Sequence, residues 1–179
     1  MKLYNFHSHT KRCGHAHGED EEYIVRAIEE GFDFYGVSDH VMFPTLNQPG
    51  IRGGFEKDFE NYISSIRMLI SKNQKQIDLH LGMEAEYYEA FHHYYVDLLK
   101  NDLEYLILGQ HFYFVNSQML ESYSRHAYSA RLYANDLMRG MKSGLFLYVA
   151  HPDLIAYCDI LPPLIEAGAS CSMTLTDQA

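Results

Sequence analysis

The sequence holds only three cysteines, Cys13, Cys158 and Cys171, an odd number with no C-x-x-C spacing. That implies no disulfide framework and fits a reducing, cytoplasmic compartment. Long apolar runs are also missing, so no segment reaches the length needed to cross a bilayer. Met1-Lys2-Leu3 runs into a strand pattern without the apolar stretch of a secretory leader. Cationic residues are scarce: 14 Lys and Arg against 24 Asp and Glu give a formal net charge of −10. Such a surface disfavours nucleic acid, and neither a nucleic-acid nor a membrane partner is expected. The motifs G-x-x-x-x-G-K-S/T, G-x-G-x-x-G and G-x-S-x-G are absent, which removes the simplest nucleotide-loop and serine-hydrolase readings.

What remains is a 179-residue chain, 47% hydrophobic, enough for one domain with a sizeable core. Short apolar runs alternate with longer amphipathic segments. Buried strands are expected over Met1 to Phe6, Phe32 to Ser38, Asp78 to Glu86, Leu103 to Gly109 and Leu145 to Ala150. Helices are expected over Tyr23 to Glu30, Phe55 to Lys72, Ala90 to Lys100 and His126 to Lys142. Glu19-Asp20-Glu21-Glu22 suits the start of the first helix, and Gly31 its C-terminal cap. Alternating strands and helices indicate an α/β fold built on a parallel sheet, with a barrel and an open doubly wound sheet as the two architectures.

Each expected strand ends in a potential metal ligand. The first runs into Phe6-His7-Ser8-His9-Thr10, and residues i and i+2 of a strand share a face, so His7 and His9 project together. His15 and His17 follow. The second strand ends in Ser38-Asp39-His40, the third in Gly82-Met83-Glu84-Ala85-Glu86, the fourth in Gly109-Gln110-His111, the fifth in His151-Pro152-Asp153. In (β/α) barrels the C-terminal strand ends converge at one mouth, so this register carries more weight than any single histidine.

Each residue also has an ordinary reading. His40, His111 and His151, taken singly, fit satisfied buried histidines. Glu84 resists dismissal, because a carboxylate between Met83 and Ala85 in a buried strand is costly unless paired or metal-bound. Glu86 shares its face nearer the polar end and is the weaker candidate. His80, His92, His93 and His126 read as surface or packing residues, and Cys13 as an inert small side chain rather than a thiolate ligand. Arg52, in the loop after the second strand, offers a phosphate clamp, against the commoner reading of a solvated loop arginine.

Together the motifs His7-Ser8-His9-Thr10, Cys13-Gly14-His15, Ser38-Asp39-His40 with Phe43-Pro44, Gly82-Met83-Glu84-Ala85, Gly109-Gln110-His111 and His151-Pro152-Asp153 resemble the polymerase and histidinol phosphatase (PHP) superfamily. The nearest branch is that of the histidinol-phosphate phosphatases, and the resemblance runs over residues 1 to about 165. It implies a distorted (β/α)7 barrel holding up to three divalent metals (Zn, Fe or Mn). Carried over by position, it implies one metal on His7, His9 and Glu84, with Glu84 bridging to a second on His111 and His151. A third would lie on His15 and His40, His17 being the alternative to His15. The implied reaction is metal-assisted hydrolysis of a phosphomonoester, L-histidinol phosphate giving L-histidinol and phosphate in histidine biosynthesis. Glu84, His111 and His151 would act through a metal-bound hydroxide. A nucleotide phosphatase, a nuclease or an impaired metal-binding or association domain are the alternatives.

The resemblance also implies further βα units ending in an Asp-x-His pair. Here 28 residues follow His151, none of them histidine. Residues 166–179 form at most a sixth strand, and Asp177 lies outside the required motif. The expectation is therefore a single PHP domain over 1–179 of about five to six βα units, C-terminally truncated, with fewer than three metals. Its open edge would favour a homo-oligomer.

Overall fold

The computed structural model describes residues 1–116, 119–123 and 129–154. Four parallel strands make the sheet: β1 (Tyr4–Asn5), β2 (Phe34–Val37), β3 (Asp78–Ala85) and β4 (Tyr105–Leu108), in the spatial order β1-β2-β3-β4. Helix α1 (Asp20–Glu29) joins β1 to β2, α2 (Phe55–Asn73) joins β2 to β3, and α3 (His92–Asn101) joins β3 to β4. A doubly wound sheet reverses its strand order at a switch point. This order runs in one direction throughout, as in a barrel wall.

The fifth expected strand is reduced to one parallel bridge, Leu108 with Val149. Its backbone still follows β4, with Leu147 N–H donating to Leu106 O (2.8 Å), Leu108 N–H to Tyr148 O (3.0 Å) and Ala150 N–H to Leu108 O (2.9 Å). Helix α4 (Ser129–Ser143) precedes it, and Gly144 turns the chain at φ +70°. The segment has no second strand neighbour among the described residues, and Leu147 is 60% exposed. Residues 124–128, including His126, lie outside the described residues, as do 155–179 with Cys158, Cys171 and Asp177.

β1 is shorter than its apolar pattern suggests, and Met1 to Tyr4 are exposed rather than buried. Asn5 Oδ1 accepts the His7 N–H at 2.9 Å and turns the chain out of the strand before the first histidine. Helix α1 begins earlier than its apolar periodicity, because Glu22 accepts the Glu19 N–H at 2.6 Å in a capping box. Gly31 takes φ +76° after it, as a C-terminal cap requires. The turn Glu89–Phe91 is a 3-10 turn that precedes α3. An antiparallel hairpin, β5 (Phe112–Asn116) with β6 (Met119–Ser122), follows β4 and lies outside the strands that the sequence pattern predicts. Its Phe-Tyr-Phe-Val run is the only cue, and it lacks a short turn signal of the Asn-Gly kind.

The main core lies between the outer face of the sheet and the helices, with Ile63, Ile66 and Leu69 of α2 facing Leu79 and Leu81 of β3. The inner face is packed differently. Tyr105 crosses it, donating its hydroxyl hydrogen to Phe6 O at 2.9 Å, with Val37 O at 3.3 Å. The ring has room only because β2 and β3 present glycines there. A Cβ on Gly36 would lie 2.1 Å from the Tyr105 hydroxyl, and one on Gly82 2.3 Å from Cζ. Tyr105, Ile107, Ala150 and Phe6 close this inner layer below the mouth. No described helix is long and apolar enough to cross a membrane.

Candidate metal centre

The pleat of β3 turns Glu84 inward, and the ladder with the preceding strand continues past Val37 to His40, which bridges Glu84. Val41 N–H donates to Glu84 O at 2.8 Å and Glu84 N–H to Asp39 O at 3.1 Å. Backbone pairing alone therefore sets His40 beside Glu84. The loop carrying His7 and His9 is tied to the end of β2 by buried polar groups. Ser8 N–H donates to Ser38 Oγ (3.0 Å), while Thr10 N–H and Oγ–H donate to Asp39 Oδ1 and Oδ2, each at 2.6 Å. Cys13, fully buried, donates to Asp39 Oδ1 (3.3 Å) and accepts the His40 N–H (3.3 Å). Burial and the Asp39 charge push its thiol far up, so it stays protonated and packs the loop.

Glu84 is the hub. Its Oε2 lies 3.0 Å from both His7 Nε2 and His9 Nε2 and 3.7 Å from His40 Nε2. Its Oε1 lies 2.8 Å from His151 Nε2 and 3.7 Å from His111 Nε2. The two oxygens thus face different sets of imidazoles. Burial would raise this carboxyl, but hydrogen bonds from His151, His7 and His9 outweigh it and hold the group well below the usual carboxylate range. Glu84 is ionised.

The His7, His9 and Glu84 donor atoms form a triangle, since the two Nε2 atoms are themselves 3.0 Å apart. Donors and acceptors cannot alternate around three corners. Whichever nitrogen carries a proton, one edge sets lone pair against lone pair or proton against proton. A divalent cation removes the conflict, because every corner offers it a lone pair. The 3.0 Å edges are close to the edge of about 3.3 Å expected for a tetrahedron of zinc bonds of about 2.0–2.1 Å.

Four further clusters have donor atoms within 4.8 Å of one another: His9, His15 and His40; His7, Glu84 and His151; His40, Glu84 and His111; and His9, Cys13 and Asp39, the last built on the protonated Cys13 thiol. His9 and His40 stack with centroids 4.6 Å apart, and the His15 ring lies 5.2 and 5.3 Å from them. Two buried nitrogens, His40 Nδ1 and His151 Nδ1, find no hydrogen-bond partner among the described residues. Burial lowers the His40 imidazole well below its ordinary range, which keeps it neutral and able to ligate. His151 adopts φ +31°, unfavourable for a non-glycine residue, as its chain turns into Pro152. The hydroxyl of Tyr133 donates to Pro152 O at 3.0 Å and steadies that turn.

All seven anticipated ligands, His7, His9, His15, His40, Glu84, His111 and His151, thus meet at one end of the sheet. His9 belongs equally with His7 and Glu84 and with His15 and His40, so its grouping is less exclusive than the sequence suggested. His17 joins none of these clusters among the described residues. His80 pairs with Glu104 (2.7 Å), and His92 lies against the Tyr87 hydroxyl (3.2 Å), both away from the centre.

Arg52 requires a correction on both readings, for it is neither solvated nor a free clamp. It is 2% exposed; Nε donates to Gln48 Oε1 (2.8 Å), Nη1 to Val41 O (2.8 Å) and Nη2 to both Glu86 oxygens (3.0 Å each). A loop arginine is usually exposed; this one is buried because Glu86 is buried opposite it. Gly109 precedes the Gln110-His111 pair, and a Cβ there would fall 1.8 Å from Glu84 Oε1. The hub carboxylate fits because residue 109 has no side chain. Nothing in the local sequence reports that contact, which spans 25 positions.

The PHP domain family matches residues 5–168 of this chain. A probable histidinol-phosphatase of Deinococcus radiodurans is 27% identical, the match covering 85% of this chain and 61% of that relative. The chain therefore spans about three fifths of that curated relative's length. The structure of histidinol phosphate phosphatase from Lactococcus lactis, complexed with zinc, L-histidinol and phosphate, superposes with a TM-score of 0.67 at 17% identity, covering 95% of this chain and 70% of that one. A provisionally named histidinol phosphatase of Listeria monocytogenes gives a TM-score of 0.62 at 18% identity, over 80% of this chain and 63% of that one. Both share its fold, an α/β half-barrel of parallel strands.

Proposed function

From the premise that the chain belongs to the PHP domain family, we propose that it is a metal-dependent phosphomonoester hydrolase acting on L-histidinol phosphate. The observation that carries this reading is the arrangement of imidazoles around both oxygens of Glu84. Glu84 would be the shared ligand, with His7 and His9 on its Oε2 side and His111 and His151 on its Oε1 side. His15 and His40, with His9, would hold the remaining position. Zinc, iron or manganese all suit a nitrogen and carboxylate set of this kind.

Divalent ions bound there supply positive charge that neutralises phosphate oxygens and makes water nucleophilic near neutral pH. The chain's own groups supply the rest. Its net charge of −10 repels an anionic ester, and cations held by the imidazole cluster would let such an ester approach there. Buried Glu84 would offset part of that added charge, while the Glu86 charge is already paired with Arg52. The Ser8–Ser38 and Thr10–Asp39 bonds keep the His7-Ser8-His9 loop from opening during turnover. A pre-positioned ligand set of this kind favours the developing transition-state charge without reorganisation.

The test is phosphate release from L-histidinol phosphate with added Mn²⁺ or Zn²⁺, comparing the wild type with Glu84→Ala. Metal-dependent turnover that the substitution lowers by at least a hundredfold is expected. Equal rates for the two proteins would remove the assignment.

A further inference from the structure

The buried Arg52–Glu86 pair has no place in the metal cluster, yet it touches one member of it. Glu86 Oε1 lies 3.3 Å from His111 Nδ1, while Nε2 of the same ring points to Glu84 Oε1 at 3.7 Å. Both carboxylates are fully buried, and both project from the same face of the chain at the end of β3. From this geometry we infer that Glu86 is a positioning residue for the metal centre. It fixes the proton on His111 Nδ1, so that Nε2 presents its lone pair to the ion, and Arg52 serves only to hold Glu86 in place. The inference rests on the metal-dependent reading above and extends it to residues outside the ligand set.

Three observations carry it. First, an ionised carboxylate only accepts, so a neutral His111 facing Glu86 must place its proton on Nδ1. The Arg52 guanidinium, with Nη2 3.0 Å from both Glu86 oxygens in a fully buried ion pair, holds Glu86 as the carboxylate. Second, Glu86 cannot rotate away. Both its oxygens accept from Arg52 Nη2, and its backbone carbonyl accepts the Tyr95 hydroxyl hydrogen at 2.8 Å. Third, Arg52 is itself fixed from three sides, by Val41 O, Gln48 Oε1 and the Phe43 ring 5.1 Å below its guanidinium. A chain of groups this constrained orients a ligand. A buried ion pair by itself stabilises a fold little compared with an apolar replacement, so fold stability alone gives weak reason to retain it.

The experiment uses two double variants that avoid an unpaired buried charge. Arg52→Met with Glu86→Gln keeps an acceptor for His111; Arg52→Met with Glu86→Leu removes it. Mn²⁺ binding is titrated by electron paramagnetic resonance on wild type, both doubles and His111→Ala, with thermal melts in EDTA recorded alongside. The leucine double is expected to weaken the site that His111→Ala weakens by roughly ten- to a hundredfold. The glutamine double should stay within a few-fold of wild type. Equal Mn²⁺ affinity in the two doubles, with both melting as cooperatively as wild type, overturns the positioning role. If His111→Ala binds Mn²⁺ as wild type does, the metal-site assignment itself fails, a separate result.

Discussion

Gly109→Ala offers a severe test of the hub, because it adds one methyl group and removes no functional atom. The new Cβ would stand 1.8 Å from Glu84 Oε1, 2.5 Å from Cδ and 2.8 Å from Cγ, separations that no real contact tolerates. Glu84 is fully buried and its backbone is pinned on both sides, by β4 and by the chain at Asp39 to Val41. The carboxylate must therefore swing. In doing so it leaves His151, 2.8 Å away, or withdraws Oε2 from His7 and His9. A displaced carboxylate is a misplaced ligand, and disturbing the support of a metal ligand typically lowers metal affinity by about ten- to a hundredfold. At about 1.4 kcal/mol per tenfold, that is about 1.4–2.8 kcal/mol of Mn²⁺ binding. Isothermal titration with Mn²⁺, paired with melts in EDTA, measures this directly. Gly31→Ala is the control: its φ is +76° but nothing lies within 4 Å of the added carbon. That variant should lose about 1 kcal/mol of stability through backbone strain and keep wild-type metal affinity. A Gly109→Ala protein that binds Mn²⁺ as tightly as wild type would show that Glu84 does not occupy the position described.

Other expectations concern the scaffold. Tyr105→Phe leaves the Phe6 carbonyl without its 2.9 Å donor inside the barrel wall, and should cost about 1–3 kcal/mol in urea unfolding. An unchanged midpoint would mean that the hydroxyl contributes nothing there. The metal-free protein should lose stability in acid: Glu86 is lowered from 4.5 to about 2, so its contribution is complete above pH 4.5 and disappears as pH falls toward 2. The loss should be roughly 3 kcal/mol, and the Arg52→Met, Glu86→Leu double should lack that part of the pH dependence in denaturant titrations. Cys13, fully buried with its thiol held protonated, should escape iodoacetamide in the native protein at pH 8 and react only after unfolding, as read by peptide mass mapping.

The strand endings were readable because a ligand at the C-terminal end of a buried strand needs only a periodicity and a change of polarity to be seen. Leu79 to Met83 followed by Glu84, and Tyr105 to Leu108 followed by His111, are local patterns. The hairpin of β5 and β6 was not readable, since aromatic runs such as Phe112-Tyr113-Phe114 serve equally in helices, strands and core loops. The segment at Leu145 to Ala150 has strand composition, yet it forms one bridge, because ladder length depends on neighbours rather than on the residues themselves. Arg52 shows the same limit from the other side. Its position in a loop predicts exposure, and only the location of Glu86, 34 residues away, decides that it is buried.

The linear chain by itself determined which residues bear ligating atoms, the order in which strands deliver them, and the family to which the chain belongs. The first two follow from side-chain chemistry and short-range period, and the family from the resemblance of its ordered motifs. Tertiary structure alone decided that two oxygens of one carboxylate divide the imidazoles between them, that a missing side chain at Gly109 makes room for that carboxylate, and that Glu86 stands behind His111. Each of these depends on distances of about 3 Å between atoms 25 to 77 residues apart, set by sheet register and packing, which no local pattern encodes.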